Sequence, residues 1–166
     1  GASHIGDIAR TNRLVQADAG LITQIGRAHL EGFGSEDGIY RGKCELIEDV
    51  LRRGGEAWVP GVEPWHERFL SDFKSAAGAG RLRFFGTVSG TAHALNLVLA
   101  KNLPSPEGRF IKLRTEAGLV EANVHLQGAH NGMNAAAACA LAEGDKPYAG
   151  VTLNVLGNSS TPSTFM

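Results

Sequence analysis

The pattern of apolar and polar positions predicts alternating helices and strands over the first half of the chain. Apolar residues recur at helical spacing in three segments and form short continuous runs in three others, as buried parallel strands do. The predicted strands cover residues 17–25, 56–59 and 82–87. The predicted helices cover residues 5–14, a segment between Ser35 and Gly54, and a segment from Pro64 to a turn at residues 76–80. This order is typical of a parallel sheet with right-handed crossovers.

A different period appears in the second half of the chain. Val120, Ala122 and Val124 alternate with polar residues, as expected for a strand with one solvated face. Short turns rich in proline, glycine and glutamate separate three predicted strands, at residues 93–100, 109–115 and 119–126. Because the connections are short, these strands predict an antiparallel meander.

Together the elements predict an α/β fold. Its mostly parallel sheet is flanked by helices and carries a small antiparallel meander at about residues 90–127. A last helix at residues 131–142 completes a domain that we assign to residues 1–144. The remaining residues, 145–166, form a C-terminal segment with weak patterns: a strand is indicated at residues 151–156 and a loose tail at residues 159–166.

Composition narrows the class of protein further. The chain has 166 residues, of which 43% are hydrophobic and 20% charged, and its net charge of −1 gives no reason to expect a nucleic-acid partner. Its longest apolar run, residues 135–142, is too short for a membrane span. Two cysteines without a CxxC pattern predict reduced thiols and a cytoplasmic protein. Because the chain begins at Gly1 rather than Met, we expect either a tag remnant or a piece of a longer protein.

Lys43 occupies an apolar position in the predicted helix that follows Ser35. Helical intervals from Ile39 and from Ile47 both reach this position. A lysine on a buried face is costly unless it is paired or modified. Two interpretations stay open: the stem crosses apolar surface while the ammonium reaches solvent, or the amine is a functional group directed into a cleft.

His29 lies in a glycine-containing loop, residues 26–34, directly after the first predicted strand. Open α/β sheets bind ligands at the carboxyl ends of their strands, which makes His29 a candidate ligand and Glu31 a nearby carboxylate. A structural or merely exposed histidine is the alternative. One histidine and one carboxylate are a weak metal signal, and no Cys/His cluster indicates zinc.

A third polar group opens the last predicted helix. His130, Asn131 and Asn134 lie within about one helical turn of each other. Asn131 is a candidate helix cap. The alternative is that this group contacts a ligand with planar hydrogen-bonding edges, such as a nucleotide base.

These segments resemble the Mur ligase family. The run LITQIGRAHLEGFGS at residues 21–35, followed by KCE at residues 43–45, resembles the Mur ligases that join D-alanyl-D-alanine to UDP-N-acetylmuramoyl-tripeptide. The run GASHIGDI at residues 1–8 is similar to the stretch after the family's metal-binding glutamate. The run LQGAHN at residues 126–131, with Asn134, is similar to its nucleotide-contacting motif. The resemblance extends from residue 1 to about residue 142.

The resemblance implies a P-loop-type central ATPase domain that acts in peptidoglycan precursor synthesis in the cytoplasm. In the family reaction, ATP phosphorylates the terminal carboxylate of the tripeptide, and the amine of D-alanyl-D-alanine attacks the acyl phosphate. The expected cofactors are ATP and Mg²⁺ at two sites. The expected partners are therefore UDP-N-acetylmuramoyl-tripeptide and D-alanyl-D-alanine.

The resemblance also implies roles for individual residues. His29 matches a ligand of the second Mg²⁺ site, and Lys43 matches a lysine that is carbamylated into an oxygen ligand, so both are catalytic candidates. The nucleotide would meet His130, Asn131 and Asn134. The muramoyl peptide would lie by Ser3, His4 and Glu31.

Departures from the family pattern limit the expected activity. The 166 residues contain no GxxxxGKS or GxxxxGKT loop, and residues 86–90 lack its lysine. Residues 60–63 read PGVE where relatives carry an Asn-Ala-Asp element. We therefore expect a fragment that is inactive alone. The alternatives are a non-catalytic binding or scaffold domain with a Mur-ligase-like fold, and a folylpolyglutamate synthase or another ligase of the superfamily; the HLEGFGS run disfavours the latter.

Overall fold

A computed structural model describes residues 2–26, 30–87 and 95–143 and the two short segments 153–154 and 164–165. Six helices lie among the described residues: α1 (Asp7–Val15), α2 (Leu30–Phe33), α3 (Glu36–Arg52), α4 (Trp65–Asp72), α5 (Lys74–Gly78) and α6 (Ala129–Glu143). The described strands are β1 (Ala19–Leu21), β2 (Glu56–Pro60), β3 (Leu82–Thr87), β4 (Leu97–Ser105), β5 (Gly108–Thr115), β6 (Gly118–Val124), β7 (Leu153–Asn154) and β8 (Thr164–Phe165).

The first six strands form one mixed sheet in the order in which they occur along the chain. β1 pairs with β2 in parallel, and β3 pairs with β4 in parallel. β4, β5 and β6 are joined as antiparallel neighbours. The predicted fold class is confirmed: parallel pairing with helices gives way to an antiparallel meander.

The first compact unit consists of Gly1–Pro60 and Pro64–Arg83. Its central helix, α3, begins where the Ser35 hydroxyl accepts the N–H of Gly38 at 2.9 Å, and two acidic residues follow in the first turn. Beyond Arg52 the chain turns away at Gly54, whose φ of +89° suits glycine. The apolar face of α3 packs with β2 and α4 into a buried core: Ile39, Ile47, Val50, Trp58, Val59 and Phe69.

Tyr40 joins α3 to α4 within this unit. Its ring stacks on Trp65 with centroids 5.3 Å apart, and its hydroxyl donates to Asp72 at 2.9 Å. The guanidinium of Arg68 lies 4.0 Å from the Tyr40 ring centroid. Burial raises the pKa of the Tyr40 hydroxyl well above its usual range, so this residue stays a neutral donor.

The second compact unit consists of Gly61–Glu63 and Phe84–Met166. Helix α6 packs on β4 and β5 through a row of small buried residues, which lets the helix approach the strands closely. Ile111 and Leu113 of β5 are fully buried. The two-residue strands β7 and β8 pair with each other.

The structure corrects several predicted boundaries in the first unit. The strand predicted at residues 17–25 is reduced to β1, and four residues of the predicted loop form helix α2. The helix predicted from Pro64 is two helices that meet at Phe73, and the turn predicted at residues 76–80 is partly occupied by α5. β3 has the predicted bounds.

Other boundaries change in the second unit. The strand predicted at residues 93–100 lies further along, as β4, and residues 93 and 94 lie outside the described part. Helix α6 begins two residues before the predicted start. Within the residues predicted as a loose tail, Thr164–Phe165 form a strand.

Both cysteines, Cys44 and Cys139, are buried thiols that form no disulfide, as predicted. Burial raises the pKa of the Cys44 thiol to about 12, which keeps it protonated and unreactive at neutral pH. Within the described residues, none of the helices has the length and apolar character needed to cross a membrane.

Candidate functional site

The amine of Lys43 meets the segment that follows β1. Lys43 is half-buried on α3, and its Nζ donates to the backbone carbonyl oxygen of Gln24 at 2.6 Å. Burial lowers the pKa of this amine, because a charged ammonium loses hydration there. The amine is therefore directed at the carboxyl end of β1, where open α/β sheets place their ligands.

Two glycines, one in α2 and one in α3, allow close contacts around α2. A Cβ on Gly42 would lie 2.3 Å from the Phe33 ring, so this glycine, next to Lys43, lets the ring rest on α3. A Cβ on Gly32 would lie 2.0 Å from the Ser3 carbonyl oxygen. Two residues of the HLEGFGS run thus have a packing role: Gly32 admits the backbone of Ser3, and Phe33 contacts α3.

Ser3 and His4 are held by Asp7. The backbone N–H groups of Ser3 and His4 each donate to Asp7 Oδ2 at 2.9 Å. The hydrogen bond from Ser3, followed by the one from His4, lowers the pKa of the Asp7 carboxyl. The carbonyl of Ser3 lies against Gly32 of α2, and the preceding residue, Glu31, is exposed.

Glu45 connects this segment to the helix that carries Lys43. Its carboxylate accepts the N–H of Gly6 through Oε1 and the N–H of Ala9 through Oε2, the latter at 2.9 Å. These groups belong to the beginning of α1, where backbone N–H groups lack helical partners. A second link, between Asn12 of α1 and Asp49 of α3, is buried.

Sequence reasoning identified Lys43 by its helical register but missed its partner. Gln24 accepts this hydrogen bond through its main-chain carbonyl, which every residue type has, so the sequence gives no signal for the contact. Glu45 was quoted only as part of the KCE run. Nothing in its position two residues after Lys43 indicates that it caps a different helix.

His29 lies outside the described residues, which exclude residues 27–29. Among the residues the structure does describe, no group of three His, Cys, Asp or Glu side chains could hold a metal ion.

In the second unit, the polar residues before and within the first turns of α6 form one cluster. Asn131 does not cap the helix, which begins at Ala129; its side-chain amide donates to the Gln127 carbonyl at 2.7 Å. Asn134 donates to Asn131 Oδ1 at 3.4 Å. The His130 ring lies over Gly128, whose φ is +93° and where a Cβ would approach the ring to 2.7 Å. His130 and Asn134 are exposed, so their polar edges are open to a ligand.

Residues 1–142 match the family model described as Mur ligase middle domain. The chain belongs to the Mur ligase family. It is 30% identical over 143 residues to the UDP-N-acetylmuramoyl-tripeptide–D-alanyl-D-alanine ligase of Escherichia coli K12, covering 85% of this chain and 29% of that ligase. It is 32% identical over 143 residues to the Haemophilus influenzae ligase of the same name, covering 86% and 28%.

Solved Mur ligases share the fold. A crystal structure of MurF from Acinetobacter baumannii matches with a TM-score of 0.68 and 32% identity over 86% of this chain and 29% of that one. MurF from Thermotoga maritima, solved in complex with ADP, matches with a TM-score of 0.64 at 20% identity, covering 93% and 35%, and so shows the fold alone. This Mur ligase chain spans 29% and 28% of the lengths of the two curated ligases named above.

Proposed function

We propose that this chain is the central part of an ATP-dependent ligase of peptidoglycan precursor synthesis. The proposed reaction joins D-alanyl-D-alanine to UDP-N-acetylmuramoyl-tripeptide through an acyl phosphate. The two curated UDP-N-acetylmuramoyl-tripeptide–D-alanyl-D-alanine ligases described above support the assignment, because the chain is 30% and 32% identical to them over 85% and 86% of its length. The structural observation that carries this proposal is the environment of Lys43. Its half-buried amine donates to the Gln24 carbonyl and has a lowered pKa.

Carbamylation is the proposed chemistry of Lys43. A neutral amine attacks CO₂, forms an N–C bond and releases one proton, which leaves a carbamate with two oxygen atoms. A lowered pKa increases the neutral fraction of the amine, so half-burial favours this reaction. Carbamate oxygens suit Mg²⁺, and we propose that Lys43 and His29 hold this ion in the complete site. When bound, Mg²⁺ supplies positive charge beside the phosphoryl group that is transferred.

The two other clusters have proposed substrate roles. We assign Ser3, His4 and Glu31 to the muramoyl peptide; in support, the Ser3 carbonyl lies against Gly32, which directly follows Glu31. His130, Asn131 and Asn134 present imidazole and amide groups at the start of α6, and we assign them to ATP. We retain residues 1–144 as the central domain and residues 145–166 as a separate segment.

Carbamylation can be measured directly on the 166-residue chain. In ¹³C-bicarbonate at mildly alkaline pH, we expect a carbamate carbon signal that is lost in Lys43→Gln. The matched control is Lys74→Gln, which changes an exposed lysine on α5. A wild-type chain without the signal, or a signal that persists in Lys43→Gln, would contradict the proposal and favour a binding domain without this catalytic group.

Substrate roles are tested by titration of the same chain. UDP-N-acetylmuramoyl-tripeptide is expected to shift the amide signals of Ser3, His4 and Glu31, whereas ADP is expected to shift those of His130, Asn131 and Asn134. The 166 residues contain no phosphate loop, so we expect no ATP turnover from them alone. ADP release that depends on both the tripeptide substrate and D-alanyl-D-alanine would contradict this expectation, because it would show that the 166 residues are sufficient for the reaction.

A further inference from the structure

Strand β4 contains a bulge that changes which side chain faces α6. Leu99 pairs with Leu113 and Lys101 pairs with Lys112, so Ala100 is an extra residue between them. Beyond the bulge, Asn102 pairs with Ile111. Directly paired residues of antiparallel strands lie on the same face, and a bulge shifts the alternation by one. Asn102 therefore takes the face of the buried Ile111 and Leu113, which Lys101 would occupy in a regular strand.

On this face Asn102 connects the sheet to the first turn of α6. Its Nδ2 donates to the Ala129 carbonyl oxygen at 2.8 Å. Its Oδ1 accepts from Arg109 Nε at 2.8 Å, and its own carbonyl accepts from Arg109 Nη2. Arg109 thus fixes the orientation of the amide, so that the nitrogen and not the oxygen meets the Ala129 carbonyl.

Gly132 allows the Asn102 amide to lie this close to the helix. A Cβ at Gly132 would lie 2.3 Å from Asn102 Oδ1 and 2.5 Å from its Cγ. Glycine costs helix stability, so its presence in the first turns of α6 is explained by this close approach. The bulge, the arginine and the glycine all serve the same contact.

We propose that Asn102 is a positioning residue, which through its contact with the first turn of α6 holds His130 and Asn131 in place for the nucleotide. The inference rests on the proposed nucleotide role of these two residues. Ala129 directly precedes them, and the N–H of Asn131 is bonded to the Gly128 carbonyl at 3.0 Å in the same turn. Release of Ala129 therefore loosens the turn that carries both side chains.

The test uses Asn102→Asp in the complete 166-residue chain, with Asn123→Asp on the exposed face of β6 as the matched control. The first variant keeps an oxygen acceptor for Arg109 but replaces the donor to Ala129 with a carboxylate oxygen. Amide hydrogen exchange is measured for Asn131 and for the later turns of α6, and ADP affinity is measured by titration. We expect roughly tenfold faster exchange at Asn131, little change beyond the first turns, and roughly tenfold weaker ADP binding.

Gly132→Ala is a second variant that displaces the Asn102 amide without touching β4, and the same two changes are expected. Exchange and ADP affinity equal to those of Asn123→Asp in both variants would overturn the inference, as would uniform acceleration along all of α6. If ADP shifts no signal in the wild-type chain, the proposed nucleotide role fails. The exchange rates then still decide whether Asn102 fixes the first turn.

Discussion

At the scale of single residues, Lys43 links stability to pH. Burial lowers its pKa in the folded chain below the reference value of 10.5. Between the lowered pKa and 10.5, the unfolded chain binds more protons than the folded chain, so wild-type stability rises with pH in that window. Below this window the buried charge of Lys43 lowers the free energy of unfolding by an amount that no longer changes with pH.

We therefore expect Lys43→Met to unfold at higher urea than wild type at neutral pH, in buffer free of CO₂. The advantage should shrink as pH rises through that window and disappear above 10.5, where the wild-type amine is neutral in both states. Lys74→Met, at an exposed position on α5, serves as the control. A difference between Lys43→Met and wild type that stays constant over the whole range would contradict the expectation.

Gly32 gives a second prediction at this scale. A methyl group at Gly32 would collide with the backbone oxygen of Ser3 at 2.0 Å, and a main-chain atom cannot move aside cheaply. We expect Gly32→Ala to lower the free energy of unfolding by about 2 kcal/mol, as overpacking does. Gly78→Ala, where the added Cβ meets nothing within 4 Å, should leave it unchanged or slightly raise it. Urea unfolding of both variants measures this, and equal midpoints would show that the Ser3 segment moves freely.

At the scale of secondary-structure elements, helix α1 is capped by a residue that lies outside its own sequence. Apolar spacing predicted the helix at residues 5–14, close to its observed bounds, but no local side chain caps it. The cap is Glu45, 39 residues from Gly6. Local patterns report which segments are helical, whereas a cap supplied from another helix depends on tertiary packing.

Glu45→Gln tests this cap. One oxygen acceptor and the negative charge near the start of α1 are lost, while the size of the side chain is kept. We expect the free energy of unfolding to fall by about 1 kcal/mol. Glu48→Gln, at an exposed position on the same helix, should change it much less. Equal effects from the two substitutions would mean that the loss of charge, and not the cap, is responsible.

The short length of β1 is explained by its partner strand, β2. The apolar run at residues 17–25 looked like a long buried strand, yet pairing stops at Leu21, opposite Trp58. The Trp58 carbonyl accepts the N–H of Ile22, so the position two residues later, Pro60, faces β1 as well. Proline has no N–H to donate, and the ladder cannot continue there. The length of β1 therefore depends on Pro60, 39 residues after Leu21, which the periodicity of β1 itself cannot reveal.

At the scale of the whole molecule, the candidate site residues differ in how sequence reasoning arrived at them. The helical register alone isolated Lys43, and the position of His29 after the first predicted strand made it a candidate ligand. Roles for Ser3 and His4 came only from the family resemblance. Asn102 and Arg109 were not found by either route, because a bulge decides which face Asn102 occupies. The fold class was predictable from patterns that repeat along the chain; contacts that join distant elements were not.

The extent of the domain gives the last prediction. The family match ends at residue 142, and the described part of the segment beyond α6 consists of β7 and β8, two residues each. A two-stranded pair of this size has marginal stability in water, so it contributes little to the rest. We expect a chain ending at residue 144 to keep the urea midpoint and the slow amide exchange of α6. A large fall in the midpoint, or loss of protection along α6, would show that residues 145–166 complete the fold and that the boundary assigned at residue 144 is wrong.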